Sequence, residues 1–395
     1  MSKKQKIMVA ALVLVIAGVI VYFTTVRDIL RKSRVEQVVT EEEGAVTDAE
    51  AEPLNQGNIS PITGIACENW NRRPIAVMQP SDVQARPAAG FSEADMVFEL
   101  PAYTSSVTRL LGVYGCNIPE EIGALRSSRH DHIALAASID GFFIHWGGSH
   151  FALDLLNKNI IDRIDCMNTN YCERWNWQSD PTMRMEDSGH IKGEKALEAM
   201  RDKGVRTETN FVGYPHQKEA DMENRGANGG ELRVAFANPW DVNYTYDKNT
   251  NTYLRVWNGV ADTDRNNKER LAPKNIVVMF AKSEQITLDQ NYTGKGLDDP
   301  WAEVEEIKKT GAESISGRYN NVQIGDPWYD EIGDGQAYYY MNGKEYRGSW
   351  KKDSSKLESK LFFYDENGKE IMFVPGQIWV EILEPGQNLK WTPGV

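Results

Sequence analysis

Apolar residues follow three different spacings along this chain of 395 residues. The first is an unbroken run from Ile7 to Val26, which holds no charged residue and is apolar on every side of a helix. Twenty helical residues extend over roughly 30 Å, the thickness of the apolar core of a bilayer. The run therefore predicts a single transmembrane helix.

The second spacing covers residues 58–219, where short apolar runs alternate with stretches of helical periodicity. Such alternation of strands and helices predicts an α/β or mixed layered fold. We predict strands at 75–79, 96–100, 108–114 and 142–145, and helices at 129–138, 149–157 and 193–203.

The third spacing begins after residues 220–230, a stretch rich in Gly and Asn. This break predicts a boundary between two domains, at 58–219 and 231–395. Downstream, large residues alternate around Asp247 and Asn249, as in a hairpin with a polar turn, and Asn-Gly pairs join short strands near the end of the chain. The C-terminal half is therefore predicted to be mostly β.

The residues around the first apolar run predict how the chain sits in a membrane. Three lysines precede the run and four basic residues follow it, so charge does not decide the orientation. The first span of a secreted-type chain normally leaves its N-terminus in the cytoplasm. We therefore expect residues 1–6 to be cytoplasmic, residues 7–26 to form the anchor, and the bulk of the chain to be extracytoplasmic at the cell membrane.

Two alternatives to an anchor are less consistent with the residues. A cleaved signal peptide would need a small-x-small cleavage site after the run, which the sequence lacks. A buried core helix would show a polar stripe. Residues 27–57 are predicted to be a disordered stalk, because positions 36–57 hold seven acidic residues and no basic or aromatic ones.

Four cysteines, at positions 67, 116, 166 and 172, allow three pairings. Cys166 and Cys172 lie close together in a polar loop, and a local disulfide there fits an extracytoplasmic location. Cys67 would then pair with Cys116. Free thiols and a zinc site are the alternatives, although the close spacing typical of zinc is missing. We predict no metal and no cofactor, since no nucleotide-type glycine motif occurs.

The net charge of the chain limits the classes of partner that it can bind. The net charge is −13, and the body of the chain stays acidic without the stalk, so a broad nucleic-acid-binding face is excluded. One basic patch remains at 126–129, in the sequence RSSR. Asp247, Asp262 and Asp264 fit no calcium-loop spacing, and we expect them to be solvated turn residues.

The patch supplies the main candidates for a binding site. Arg126, Ser127 and Arg129 stand at the start of a predicted helix, whose N-terminus offers free N–H groups and a positive dipole end. Arginine adds a fork of donors suited to phosphate or carboxylate, so the pattern predicts an anionic ligand. The alternative is that these arginines pair with acidic residues and hold the fold together. The candidate partners are Glu99, Glu121 and Asp131.

Further candidates lie on both sides of this patch. Arg86 and Arg109 are also predicted to bind the ligand; Arg109 stands in an apolar strand, where the nearest expected partner is Glu99 on the preceding strand. His145, at a strand end, is the one catalytic candidate, and a structural histidine is the alternative. The remaining predicted binding residues are Gly147 and Gly148, which form either a ligand cradle or a tight turn, and Ser149, which is either a nucleophile or a helix cap.

The motifs together resemble a known family. RRPIAVM at 72–78, TRLLGVY at 108–114, IGALRSSR at 122–129 and HWGGS at 145–149 occur in the order seen in YerB-like proteins, and PGQIWVEI at 375–382 continues the match. These are bacterial envelope lipoproteins whose domains are of unknown function. The resemblance covers about residues 60–391 and implies a layered α/β sandwich. The chain departs from the family where Asp262 replaces a frequent histidine and where the lipidated cysteine is missing.

Two functions follow as hypotheses. The first is a non-catalytic, membrane-tethered envelope protein that binds a cell-wall polymer or a wall-synthesis partner. The second is an envelope hydrolase or transferase that acts on an anionic wall substrate, with Arg126, Arg129 and His145 in its site. We favour the first, because the sequence shows no set of nucleophile, base and orienting residue.

Overall fold

A computed structural model describes residues 58–103, 107–285 and 320–395, which belong to one compact unit. The predicted cytoplasmic residues 1–6, anchor 7–26 and stalk 27–57 lie outside the described residues. In the part of the chain that is described, no helix is long and apolar enough to cross a bilayer.

The unit is mixed α/β and rich in sheet. The helices are α1 (His130–Ser138), α2 (His150–Leu156) and α3 (Gly193–Asp202). The strands of the first half are β1 (Ile75–Pro80), β2 (Met96–Pro101), β3 (Thr108–Tyr114), β4 (Glu121–Gly123), β5 (Phe142–His145), β6 (Arg163–Asp165), β7 (Cys172–Arg174) and β8 (Gly189–Lys192). The strands of the second half are β9 (Glu231–Ala235), β10 (Val242–Asp247), β11 (Thr252–Trp257), β12 (Val260–Ala261), β13 (Asn275–Phe280), β14 (Ser283–Gln285), β15 (Asn320–Val322), β16 (Asp334–Met341), β17 (Lys344–Lys351), β18 (Phe362–Asp365), β19 (Ile378–Leu383) and β20 (Asn388–Thr392).

A ten-stranded sheet forms the centre of the unit, in the order β18-β17-β16-β13-β19-β2-β3-β1-β5-β6. Strands β13 and β19 from the second half are parallel neighbours, and β19 also pairs in parallel with β2 from the first half. The predicted division at residues 220–230 therefore separates two stretches of sequence that share one sheet.

Both faces of this sheet are covered, which explains why its central strands are apolar without alternation. Helices α1 and α2 pack on one face, over residues such as Phe143 and Val380. On the opposite face, α3 covers the first-half strands, around Val97 and Leu110. A five-stranded sheet, in the order β12-β11-β10-β9-β20, covers the second-half strands on that face.

Local sequence signals account for some of the element ends. The hydroxyl of Ser149 accepts the N–H of Ala152 at 3.3 Å, as expected for a helix cap. The Asn342-Gly343 pair joins β16 to β17 with both residues at positive φ, which is the type I′ geometry that a two-residue hairpin favours. The predicted hairpin at 243–259 is the pair β10–β11.

The predicted disulfides are both present. Cys67 pairs with Cys116, and Cys166 pairs with Cys172, with Cα atoms 5.9 and 5.5 Å apart. The first bond joins the segment before β1 to the segment after β3. The second closes the short loop between β6 and β7.

Candidate functional site

The fold brings the RSSR and HWGGS motifs side by side. Ser128 and Gly148 form a parallel bridge, in which the N–H of Ser128 donates to the carbonyl of Gly147 at 2.9 Å. The N–H of Ser149 donates back to Ser128 at 3.0 Å, and the N–H of Trp146 donates to the carbonyl of Arg126 at 3.1 Å. Two motifs that are separate in sequence thus become adjacent loops at the ends of β5 and α1.

Three arginines meet at one carboxylate beside these loops. Asp82, in the turn after β1, lies 3.4 Å from Arg109 Nη1, 3.8 Å from Arg126 Nη2 and 3.5 Å from Arg184 Nη2. Arg109 comes from β3, Arg126 from the loop before α1, and Arg184 from the loop between β7 and β8. We call Arg109, Arg126, Arg184 and Asp82 the arginine cluster.

Three carboxylates face the three arginines of the cluster. Besides Asp82, Arg184 and Arg126 contact Asp187, whose carboxylate lies 2.5 Å from Arg184 Nε and 3.8 Å from Arg126 Nη1. Arg184 Nε also lies 3.5 Å from Glu186. The Nε groups of Arg109 and Arg126 are buried and have no hydrogen-bond partner among the described residues.

The surroundings of Arg109 disfavour its positive charge. The pKa of Arg109 is lowered to about 9, first by burial and then by repulsion from Arg129 and Arg126, while Asp82 opposes the shift. The exposed fraction of the side chains rises from 5% at Arg109 through 18% at Arg126 to 41% at Arg184. The cluster is therefore buried at one end and open to solvent at the other.

Arg129 and Ser127 lie beside the cluster. Arg129 Nη2 donates to the hydroxyl of Tyr103 at 2.7 Å, and its guanidinium lies over the tyrosine ring. Arg129 Nη1 donates to the carbonyl of Ser128 at 3.0 Å. Ser127 is partly exposed in the same loop. The predicted acidic partners of Arg126 were wrong, because Arg126 contacts Asp82 and Asp187 instead.

Arg86 lies in a second network, which is largely buried. It contacts Asp262 through Nη1 at 2.6 and 2.7 Å and stacks over Trp257. Arg255, which has no exposed surface, bonds Asp262 as well as Glu99. The predicted pair between Arg109 and Glu99 was therefore wrong, because Glu99 is occupied by Arg255.

Two of the three aspartates that were expected to be solvated, Asp262 and Asp264, are buried. The expectation for Asp262 was wrong, since two arginines hold it inside the fold, and its pKa is lowered although burial opposes the shift. It was also wrong for Asp264, which is buried and accepts the N–H groups of Gly90 and Ser92. Asp247 does accept hydrogen bonds within its own turn, as predicted.

The other predicted site residues have internal contacts. His145 is fully buried, with Nδ1 2.8 Å from the carbonyl of Gly147, and burial lowers its pKa to about 4. A neutral, enclosed imidazole favours the structural interpretation over catalysis. Gly147 has φ of +66°, and a Cβ there would lie 2.8 Å from the sulfur of Met167, so the turn itself requires glycine. Gly148 forms the bridge with Ser128, and Ser149 caps the helix that follows it.

Sequence reasoning missed Asp82, Arg184 and Asp187. Asp82 follows the end of a buried strand, a position where polar site residues often lie, and that signal was present in the sequence. Arg184 and Asp187 lie in an irregular stretch with no periodicity, so only the fold brings them to the cluster.

Two further observations concern metal sites and cavities in the described residues. Across residues 58–103, 107–285 and 320–395, no group of three His, Cys, Asp or Glu side chains is arranged to hold a metal ion. A cavity of about 620 Å³ lies beside β6. Its lining includes Arg163, Asp165 and Lys203 but none of the predicted arginines.

Comparison with known proteins identifies relatives of the whole described unit. Residues 62–206 match the family described as "Protein of unknown function (DUF3048) N-terminal domain", and residues 232–299 and 308–380 match its C-terminal domain. The chain is 26% identical over 331 residues to "Putative lipoprotein YerB" of Bacillus subtilis strain 168, covering 82% of this chain and 86% of the relative. A crystal structure of the YerB protein from Bacillus subtilis is similar with a TM-score of 0.65 and 23% identity, over 84% of this chain and 99% of that one.

Proposed function

The chain belongs to the DUF3048 family of proteins of unknown function, and from its own side chains we propose that it binds an anionic polymer of the cell wall through the arginine cluster. The observation that carries the proposal is the convergence of Arg109, Arg126 and Arg184 on the single carboxylate of Asp82. The Nε groups of Arg109 and Arg126 are buried and have no hydrogen-bond partner among the described residues, and a buried donor without a partner costs free energy. A ligand anion would supply acceptors for these donors.

Location supports a wall ligand. The relative from Bacillus subtilis is named as a lipoprotein, which places that protein at a membrane. In this chain the apolar run at 7–26 would replace the lipid as a single-span anchor, and the acidic stalk would hold the folded unit away from the bilayer. Both disulfides fit an oxidising, extracytoplasmic compartment.

The geometry favours binding over catalysis. His145 is enclosed and neutral, and Ser149 is used as a helix cap. A hydrolase or transferase would need a nucleophile and a base that both reach the substrate. The cluster itself supplies donors and positive charge, which are sufficient for recognition of an anion.

A binding assay with purified cell walls tests the proposal. Full-length protein in nanodiscs of neutral lipid is sedimented with walls that either retain their anionic polymers or have been stripped of them. We expect binding to intact walls only, and a loss of about tenfold or more in affinity for Arg126→Ala and Arg184→Ala, because each removes charge-assisted hydrogen bonds.

The matched control is Arg233→Ala, which removes an exposed arginine paired with Asp241 on the five-stranded sheet. This variant should bind as the wild type does. Equal binding by all variants, or equal binding to stripped walls, would contradict an anion site at the cluster. Binding only to a wall-synthesis protein would replace the polymer with a protein partner.

A further inference from the structure

Asp82 is held more loosely than Asp262 and Asp162, two other carboxylates of this unit that pair with arginine. Its contacts with the three arginines range from 3.4 to 3.8 Å. Arg86 reaches Asp262 at 2.6 Å, and Arg73 reaches Asp162 at 2.5 Å. Charge-assisted hydrogen bonds normally measure about 2.7–2.9 Å. Asp82 therefore compensates charge in the cluster without saturating the donors around it.

The backbone around Asp82 allows its side chain to rotate away from the arginines. Asp82 precedes a single 3₁₀ turn of three residues, and its side chain makes no capping hydrogen bond to that turn. The next two residues, Val83 and Gln84, are exposed. A rotation of this side chain toward solvent would break no short hydrogen bond and disturb no packed element.

Three arginines arranged around one point suit a tetrahedral oxyanion better than a carboxylate. Arg109, Arg126 and Arg184 come from three separate elements and approach Asp82 from both of its oxygens. A carboxylate has two oxygens and one charge. A phosphate group offers three or four oxygens, and a monoester carries about −1.5 to −2 charge at neutral pH. More of the free N–H groups can therefore be satisfied by phosphate.

We propose that Asp82 is an internal anion that occupies the cluster until the phosphate group of a ligand replaces it. This inference rests on the proposed function and specifies its ligand chemistry. Asp82 becomes a specificity-determining residue, because any entering anion must gain more from the arginines than Asp82 does. Singly charged carboxylates fail this competition, whereas phosphates succeed. The phosphate can belong to a wall polymer, a lipid headgroup or free phosphate.

The proposal is tested by removing the negative charge of Asp82. Binding of three phosphate probes to full-length protein in neutral-lipid nanodiscs is measured by calorimetry: inorganic phosphate, a glycerol-phosphate oligomer, and phosphatidylglycerol incorporated in the nanodisc. We expect Asp82→Asn to raise the affinity for the phosphate that the wild type binds by about tenfold or more. Acetate should bind measurably to this variant and not to the wild type.

Two variants control for trivial effects. Asp241→Asn removes an equal charge at an exposed ion pair with Arg233 and should leave phosphate affinity unchanged. Asp82→Ser keeps a short polar side chain without charge and should behave like Asp82→Asn if that variant folds poorly. The ranking of the three probes in the wild type identifies the source of the phosphate.

The outcomes separate the two proposals. If the wild type binds intact walls through Arg126, but the Asp82 variants bind phosphate no better than wild type, the internal-anion inference is overturned and the proposed function stands. If neither wild type nor variants bind walls or any phosphate probe, the proposed function is overturned together with the inference.

Discussion

Replacement of Arg255 by Met is expected to destabilise the fold in a strongly pH-dependent way. Arg255 is fully buried and bonds the carboxylates of Glu99 and Asp262. In Arg255→Met, Asp262 keeps its contacts with Arg86 at 2.6 and 2.7 Å. Glu99 keeps only neutral hydroxyl donors, of which Ser81 is one, at 3.2 Å. The variant therefore leaves one buried carboxylate without a cation.

The magnitude follows from the cost of protonating that carboxylate. A glutamic acid with an ordinary pKa near 4.3 needs about 4 kcal/mol to hold a proton at pH 7, at roughly 1.4 kcal/mol per pH unit. The same proton costs about 1 kcal/mol at pH 5. The folded variant holds this proton and the unfolded variant releases it, so the stability of the variant falls as the pH rises. We therefore expect a loss of about 4 kcal/mol near pH 7 and a much smaller one near pH 5.

Urea unfolding followed by tryptophan fluorescence, under non-reducing conditions, measures both values. The matched control is the double variant Arg255→Met/Glu99→Gln, in which position 99 no longer carries a charge that lacks a cation. It should recover most of the stability lost near pH 7. An equal loss at both pH values, with no recovery in the double variant, would refute the view that an uncompensated Glu99 causes the destabilisation.

Three other predictions concern stability. Ser149→Ala should cost about 1 kcal/mol in urea unfolding, because it removes a helix cap, whereas Ser149→Thr should keep most of the stability. Burial raises the pKa of Asp95 to about 6, so the fold should lose stability as pH rises from about 4 to about 6. Asp95→Asn should abolish this slope in thermal melts recorded across that range, and an unchanged slope would assign it to other groups. Replacing Cys67 and Cys116 by serine opens a loop of 49 residues and should cost about 4 kcal/mol of stability. The same change at Cys166 and Cys172 opens a loop of 6 residues and should cost about 2 kcal/mol. Equal melting temperatures of the two serine double variants would contradict the loop-length argument.

Features set by neighbouring residues could be predicted from the sequence. The strands at 108–114 and 142–145, the cap at Ser149 and the turn at Asn342-Gly343 depend on local spacing and backbone preference. The disulfide pairing followed from the short loop between Cys166 and Cys172. These predictions were confirmed because tertiary contacts did not need to be known.

The ion pairs could not be predicted in this way. Glu99 was assigned to Arg109, which lies close by in sequence, but its partner is Arg255, 156 residues away. One signal was present in the sequence: in β11, Arg255 lies between Tyr253 and Trp257 at a spacing of two, on the face that is buried. An arginine on the apolar face of a strand must have an acidic partner elsewhere in the fold.

The site itself was only partly visible in the sequence. Arg109 and Arg126 were predicted, and they do lie together in the arginine cluster. Asp82 and Arg184 come from a strand end and an irregular loop, and neither position carries a pattern that indicates the other. The sequence could therefore indicate an anion site, while its internal carboxylate became apparent only from distances.

The position of β19 between β2 and β13 has a consequence for how the protein is made. Residues 96–101 are synthesised long before residues 378–383, which are their neighbours in the central sheet. Until the later strand emerges, β2 has an open edge, and an open edge is a template for pairing with other chains. The nascent first half must therefore be kept apart from its copies while the second half is still being synthesised. Sheet closure is a late event in biogenesis, and the yield of folded protein depends on what shields that edge in the interval.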